Sequence, residues 1–135
     1  MNQPSEHAEA KPHWVRGIRG ATTVAADEPE LILEATEELL REMLRANDLE
    51  DFEPIAAIFF TTTPDLSSTF PAEAARRLGM SMVPLLCNQE IPVPNRLGLA
   101  VRVMMQVNMQ KSQAEVKHIY LREAKRLRPD LVSAQ

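Results

Sequence analysis

The clearest helical pattern in the chain covers residues 28–46. Apolar side chains recur three or four positions apart, and glutamate and arginine fill most positions between them. The apolar positions are Leu31, Ile32, Ala35, Leu39, Met43 and Leu44. This spacing predicts an amphipathic helix with one buried face, which Asn47 and Asp48 are expected to end. Asp27 and Glu30 predict a side-chain cap at its start, and Pro29 suits a first turn, where an N–H has no helical partner.

Four further segments have patterns typical of strands. Residues 14–24 combine β-branched side chains with two glycines, and residues 55–60 form an apolar run that is too short for a typical helix. Residues 82–87 and 99–107 are also largely apolar, and the second of these alternates between two side-chain faces. A short helix is predicted at 71–78, where a glycine follows the last turn.

The segment at residues 112–127 supports two interpretations. Ser112 and Glu115 form a capping-box pattern, and apolar residues continue after them at helical spacing, which favours a helix. The alternation around Tyr120 also permits a strand that is buried on both faces. The local pattern leaves both structures open.

The length and composition fit a single domain. A chain of 135 residues can form one hydrophobic core, and 44% hydrophobic with 25% charged residues is ordinary for a globular protein. Residues 1–13 are polar and lack periodic apolar positions, so we expect a flexible tail there, followed by a domain at 14–131. Residues 132–135 are expected to form a second short tail.

Charge, cysteine and histidine content argue against several classes of protein. A formal net charge of -4 differs from the basic excess that a general nucleic-acid surface normally carries. One cysteine cannot form an internal disulfide, and three histidines without paired spacing predict no metal site. No apolar run approaches the roughly 18 residues of a membrane span and no signal segment opens the chain, so we expect a cytoplasmic protein without a membrane partner.

The most informative polar residue is Arg102, which interrupts an apolar run. A buried arginine is costly unless an anion or a carboxylate neutralises it, so we expect a partner for it. Cys87 would need a base to become a nucleophile, and His118 is the only internal histidine, so a structural cysteine is the preferred interpretation. Several arginines, with Glu90 and Tyr120, suit a polyanionic small molecule that carries a hydroxyl group.

Five segments together resemble the monofunctional chorismate mutases of the trimeric mixed α/β class, in the same order and with near-constant spacing. They are VRGIRGATTV at 15–24, TPDL with FPAEAAR at 63–76, VPLLCNQE at 83–90, RVMM at 102–105 and HIYLREAKRLRPDL at 118–131. The resemblance implies a single α+β domain with a mixed sheet of about five strands and both predicted helices on one side. It also implies a strand in the last segment and a pseudo-barrel homotrimer with sites at subunit interfaces.

The resemblance implies an isomerase that catalyses the Claisen rearrangement of chorismate to prephenate, in the shikimate route to phenylalanine and tyrosine. This reaction needs no cofactor, no covalent intermediate and no proton transfer. The enzyme selects the compact conformer of its substrate and stabilises charge that develops on the breaking ether oxygen.

Residue roles also follow from the resemblance. Arg102 corresponds to the cation beside the ether oxygen, Arg19 to an arginine that binds a substrate carboxylate, and Glu90 to the carboxylate that accepts from the ring hydroxyl. The remaining substrate-binding positions are Cys87, Tyr120, Phe70, Arg76, Leu127 and Arg128.

Two other interpretations remain open from the sequence. A trimeric imine deaminase-like enzyme would also bind carboxylates with arginine at subunit interfaces. A catalytically silent metabolite-binding or interaction domain could keep the same fold.

Overall fold

The computed structural model describes residues 12–127. Its strands are β1 (Trp14–Thr23), β2 (Ile55–Thr62), β3 (Leu85–Gln89), β4 (Ala100–Met109) and β5 (Ile119–Tyr120). It also contains two α-helices, α1 (Pro29–Ala46) and α2 (Ala72–Arg77), and two 3-10 helices, Gln113–Glu115 and Arg122–Leu127. None of the helices in this part of the chain is long and apolar enough to cross a membrane. Arg128, most of the predicted N-terminal tail and the whole C-terminal tail lie outside the described residues.

The five strands form one mixed sheet in the order β3-β2-β4-β1-β5. β4 is antiparallel to both β1 and β2, while β3 is parallel to β2 and β5 is parallel to β1. Buried side chains of α1 and α2 belong to the same core cluster as one face of the sheet. The predicted α+β fold, with about five strands and both helices on one side, is therefore confirmed.

The core lies between the helices and alternate residues of the strands. Ile18, Phe60 and Met105 point toward α1 and are fully buried, and each side chain of this size contributes about 1.5–3 kcal/mol when it leaves water. Gly20 lies beneath the same helix, and a Cβ atom there would overlap the sulfur of Met43. The absence of a side chain at this position lets the helix lie close to β1.

The opposite face of the sheet, which we call the open face, points away from the helices. The strand register places Phe59 between Met104 on β4 and Leu86 on β3. Met104 is 37% exposed and Leu86 is 52% exposed. A single chain therefore presents a row of apolar side chains to solvent, next to Arg19 and Arg102 on the same face.

The predicted cap at the start of α1 is wrong. The helix begins at Pro29 as expected, but Glu28 precedes it without a side-chain cap. The carboxylate of Asp27 instead accepts the backbone N–H groups of Ser67 and Ser68, each at 3.0 Å. The carboxylate that the local sequence assigned to the helix N-terminus is therefore used in long-range hydrogen bonds instead. The predicted end of α1 at Asn47 is confirmed.

The third strand also differs from its predicted bounds. It begins at Leu85, three residues later than expected, and continues to Gln89. Pro84 has no N–H to donate, so only its carbonyl takes part, as the acceptor of the Ile58 N–H at 3.0 Å. The short helix before it ends as predicted, because Gly79 adopts a φ of 100° that favours glycine.

The last segment contains the strand that the resemblance implied, but the strand is only two residues long. The Ser112 capping box forms and supports one 3-10 turn rather than a long helix. Beyond that turn the side chain of Asn47 hydrogen-bonds both the N–H and the carbonyl of Lys117, at 2.8 and 2.9 Å. These are the backbone groups that a continuing helix would need, so the contact with α1 prevents it.

Two side chains hydrogen-bond the outer edge of β1 before β5 begins. The Gln113 amide accepts from the Gly17 N–H at 3.0 Å and donates to the Gly17 carbonyl at 2.6 Å. The His118 ring accepts from the Arg19 N–H at 2.9 Å. Further along the strand, β5 pairs with Gly20 and Ala21. The two side chains and β5 together cover this edge of β1.

Candidate active site

Arg102 has a carboxylate partner on the open face. Its Nε lies 3.2 Å from Oε2 of Glu90, and Oγ1 of Thr61 donates to the same oxygen at 2.8 Å. Thr61 lies directly opposite Arg102 in the register of β2 and β4, while Glu90 follows the last residue of β3. The side chains of Arg102 and Glu90 are 35% and 21% exposed, so the pair remains accessible. This contact supplies the partner that the sequence predicted for Arg102.

A cleft of about 290 Å³ lies against Arg102 and Thr61 on the open face. Arg19, Arg102 and Tyr120 line it with polar groups, and Met104 and Phe59 give it apolar walls. The strand register explains the grouping, because Arg19 lies opposite Met104, and Arg102 is two positions earlier on the same face of β4. Two guanidinium groups face one carboxylate here, so the site has a net positive charge that suits an anionic ligand.

A second cleft, of about 700 Å³, continues from the first and shares Thr61 and Arg102 with it. Glu90 and Leu127 line it, together with the loop at residues 91–98. This loop is fastened at its end, because the N–H of Leu99 donates to both carboxylate oxygens of Asp65, at 3.0 and 2.9 Å. The two clefts thus bring together Arg19, Glu90, Arg102, Tyr120 and Leu127 of the predicted site.

Three of the predicted site residues line neither cleft. Cys87 pairs with the buried Phe60, so it lies on the helix side of β3, opposite to the open face. Phe70 lies two residues before the start of α2 and is 70% exposed. Arg76 lies on α2, where its Nη1 contacts Oε1 of Glu73 at 2.9 Å. Phe70, Arg76 and Cys87, which we call the second group, are therefore separated from the clefts within one chain.

The electrostatic environment of Cys87 favours the neutral thiol. Burial raises the pKa of Cys87 above its ordinary value, and a backbone hydrogen bond from Ala72 and the charge of Arg76 offset this only in part. The result agrees with the preferred interpretation of this cysteine as a residue without nucleophilic chemistry. Within residues 12–127, no cluster of three or more histidine, cysteine or carboxylate side chains could hold a metal ion.

Sequence reasoning missed Thr61 and Asp65. Thr61 follows the apolar run of β2 and acquires its contact with Glu90 only through the register of three strands. Asp65 is part of the TPDL segment, and its carboxylate lies so close to Gly98 that a Cβ atom on Gly98 would be 2.6 Å from Oδ2 of Asp65. The Thr61 contact could not be assigned before the strand register was known, and the Asp65 contact could not be assigned before the loop at 91–98 was placed.

Residues 15–131 match the family model described as chorismate mutase type I. The chain belongs to the type I chorismate mutase family. A relative from Thermus thermophilus named chorismate mutase AroH is 57% identical over 121 residues, which cover 90% of this chain and 99% of the relative. A Bacillus subtilis (strain 168) protein of the same name is 42% identical over 118 residues, covering 87% of this chain and 92% of the relative.

Solved structures support the same type I chorismate mutase fold. The structure of a chorismate mutase from Clostridium thermocellum matches with a TM-score of 0.79 and 45% sequence identity. The match covers 81% of this chain and 96% of that one. The family that the five sequence segments suggested is therefore confirmed, and with it the prediction of an enzyme.

Proposed function

We propose that this chain is an isomerase that converts chorismate to prephenate, in the biosynthesis of phenylalanine and tyrosine. The observation that carries the proposal is the grouping of Arg19, Glu90 and Arg102 along two adjoining clefts in a member of the type I chorismate mutase family. The site offers cations for a dicarboxylate and a carboxylate for a hydroxyl group. The two similar proteins named chorismate mutase, at 57% and 42% identity, support the same reaction.

The rearrangement breaks one carbon–oxygen bond and forms one carbon–carbon bond within the same molecule, without a cofactor. Arg102 lies beside the ether oxygen in the proposed complex and stabilises the negative charge that develops there. Arg19 and Tyr120 bind a carboxylate and hold the compact conformer. A rate gain of about a millionfold requires roughly 8 kcal/mol of transition-state stabilisation, and a fixed cation in a partly buried cleft can supply a large share.

Glu90 has a separate role in the proposal. Its Oε2 atom receives both the Arg102 and the Thr61 contacts. The other carboxylate oxygen, Oε1, is therefore the atom that we assign to the ring hydroxyl. The contact with Arg102 also holds the guanidinium plane in place before substrate arrives, which lowers the reorganisation needed in the reaction.

The second group fits a site that two subunits share. The proposed assembly is a pseudo-barrel homotrimer in which one chain provides the clefts and a neighbour provides Phe70, Arg76 and Cys87. The exposed apolar row on the open face supports such an interface, and so does the exposure of Phe70. Leu127 lies beside the larger cleft, where it would help to close the site. Arg128 and a cytoplasmic location stay predictions from the sequence.

The decisive test is the turnover of chorismate, followed as loss of its ultraviolet absorbance with prephenate identified as the product. We expect Arg102→Ala to lower kcat/KM by about a thousandfold or more while circular dichroism and oligomeric state are unchanged. Arg41→Ala is the matched control, because its side chain is 64% exposed on α1 and is outside both clefts.

Three outcomes would contradict the proposal. Near-normal turnover by Arg102→Ala would remove the assigned role of that cation. Hydrolysis of an imine without consumption of chorismate would favour the deaminase-like alternative. Tight binding of a bicyclic transition-state mimic without any turnover would favour a catalytically silent binding domain.

A further inference from the structure

His118 makes a specific contact with the backbone of a proposed site residue. The Arg19 N–H donates to Nδ1 of the His118 ring at 2.9 Å. A backbone N–H can only donate, so Nδ1 must be unprotonated in this contact and act as the acceptor. The geometry therefore selects the neutral ring with its proton on Nε2.

The same histidine is connected by the chain to a second site residue. Tyr120 follows it by two positions, in a strand that pairs with β1 through only two residues, Gly20 with Ile119 and Ala21 with Tyr120. The His118 contact lies immediately before this short ladder. One imidazole thus links the backbone positions of the two residues that line one side of the 290 Å³ cleft.

The other contacts of this region come from the two-residue ladder and from groups at the ends of β5. Asn47 fixes Lys117 to the end of α1, and Leu121 donates to the Ala21 carbonyl at 2.9 Å. These bonds hold the ends of β5 against the core. The Nδ1 bond adds a side-chain contact to the backbone of Arg19 itself, beside the short ladder.

We propose that His118 is a positioning residue that sets the guanidinium of Arg19 relative to Tyr120 in the cleft. This proposal rests on the proposed function, and it assigns no substrate contact to the histidine. It requires an acceptor atom at the Nδ1 position. A change that moves the Arg19 backbone by even a fraction of an ångström alters where its long side chain reaches, and misplacement near 1 Å can cost about a hundredfold in rate.

Three substitutions of His118 separate the acceptor from the bulk of the ring. In His118→Asn the side-chain oxygen is the same number of bonds from Cα as Nδ1, whereas in His118→Gln it is one bond further. His118→Ala removes the acceptor. We expect the asparagine variant to keep kcat/KM within about threefold of wild type, and the other two to lose about ten- to a hundredfold. The loss should appear mainly as a higher KM, because Arg19 binds a carboxylate that is present in both the substrate and the transition state.

A double-mutant cycle with Arg19→Ala tests whether His118 acts through Arg19. The backbone N–H of residue 19 remains in that variant, so His118→Ala should still lower the melting temperature by the same amount. Its effect on kcat/KM should vanish, because no guanidinium is left to position. A merely structural histidine would lower stability and activity together in both backgrounds.

The outcomes are separable from those of the proposed function. If the wild-type protein does not consume chorismate, the proposed function is overturned, and the role of His118 in that reaction is overturned with it. If wild type is active, equal activity in His118→Ala and wild type would overturn the positioning role. Equal losses in the asparagine and alanine variants, or an undiminished effect in the Arg19→Ala background, would overturn it as well.

Discussion

At the scale of single residues, the hydroxyl of Thr22 is a buried polar group without a partner. The residue is fully buried in β1, and its Oγ1 atom has no hydrogen-bond partner among the described residues. Thr36 on α1 is equally buried, but its hydroxyl donates to the Ile32 carbonyl at 2.7 Å. The two threonines therefore form a matched pair that differs in hydrogen bonding.

We expect Thr22→Val to raise the free energy of unfolding by about 1 kcal/mol, because valine has a similar shape and removes an unpaired buried hydroxyl. Thr36→Val should lower it by about 1 kcal/mol, since a satisfied hydrogen bond is lost. Urea denaturation of both variants at one protein concentration checks this. Destabilisation of similar size in both would show that Thr22 has a partner in solution.

Cys87 is a second residue whose chemistry can be tested directly. Because burial raises the pKa of its thiol, the side chain stays protonated near neutral pH and serves at most as a weak hydrogen-bonding group. We expect Cys87→Ser to keep kcat/KM within about fivefold of wild type, since serine retains a donor and an acceptor. The pH profiles of the two proteins should coincide. A loss as large as that of Arg102→Ala would instead indicate an essential role for the sulfur.

At the scale of elements, the two-residue strand β5 depends on a side chain from α1. Asn47 is 1% exposed and makes three hydrogen bonds, two with the backbone of Lys117 and one with the Met43 carbonyl. The amide thus replaces the helical bonds that the spacing of residues 112–127 favoured. Periodicity favoured a helix here and left a strand open, because the deciding contact spans 70 residues.

We expect Asn47→Ala to lower the free energy of unfolding by about 2–4 kcal/mol, because it removes three buried hydrogen bonds and leaves backbone groups unpaired. Glu34→Ala, at an exposed position on α1, the helix that ends at Asn47, is the control and should change stability by less than about 0.5 kcal/mol. Chemical denaturation measures both. Similar midpoints for the two variants would mean that water replaces the Asn47 contacts without cost.

At the scale of the whole molecule, the division of site residues between two faces explains what sequence could and could not predict. The solitary Arg102 and the quoted segments were sufficient for the family, the fold and the need for a carboxylate partner. The separation of Cys87 from Glu90 was not predictable, although the two residues are only three positions apart. It depends on Phe60 pairing with Cys87 and on Thr61 pairing with Arg102, and these are registers between distant strands.

A shared site predicts complementation between two inactive variants. Arg102→Ala impairs the clefts, and Arg76→Ala impairs the second group. In a closed ring each site combines the clefts of one chain with the second group of its neighbour. In trimers assembled from an equal mixture, about one site in four should therefore combine intact clefts with an intact second group. We expect kcat/KM of the co-refolded mixture to approach about a quarter of the wild-type value.

The control for this experiment is the same mixture of the two variants combined without unfolding. If each chain formed a complete site alone, co-refolding would restore nothing, and activity would remain the average of the two variants. Such a result would contradict the shared site and leave the assignment of Arg102 intact.

The amide of Gln113 and the ring of His118, which satisfy the outer edge of β1, have a consequence beyond the site. An unpaired strand edge is a template on which another chain can add a strand, and such addition leads to aggregation. Here the N–H and carbonyl of Gly17 and the N–H of Arg19 are already occupied by side chains of the same molecule. Strand addition at this part of β1 would therefore first have to displace the docked segment at residues 113–118.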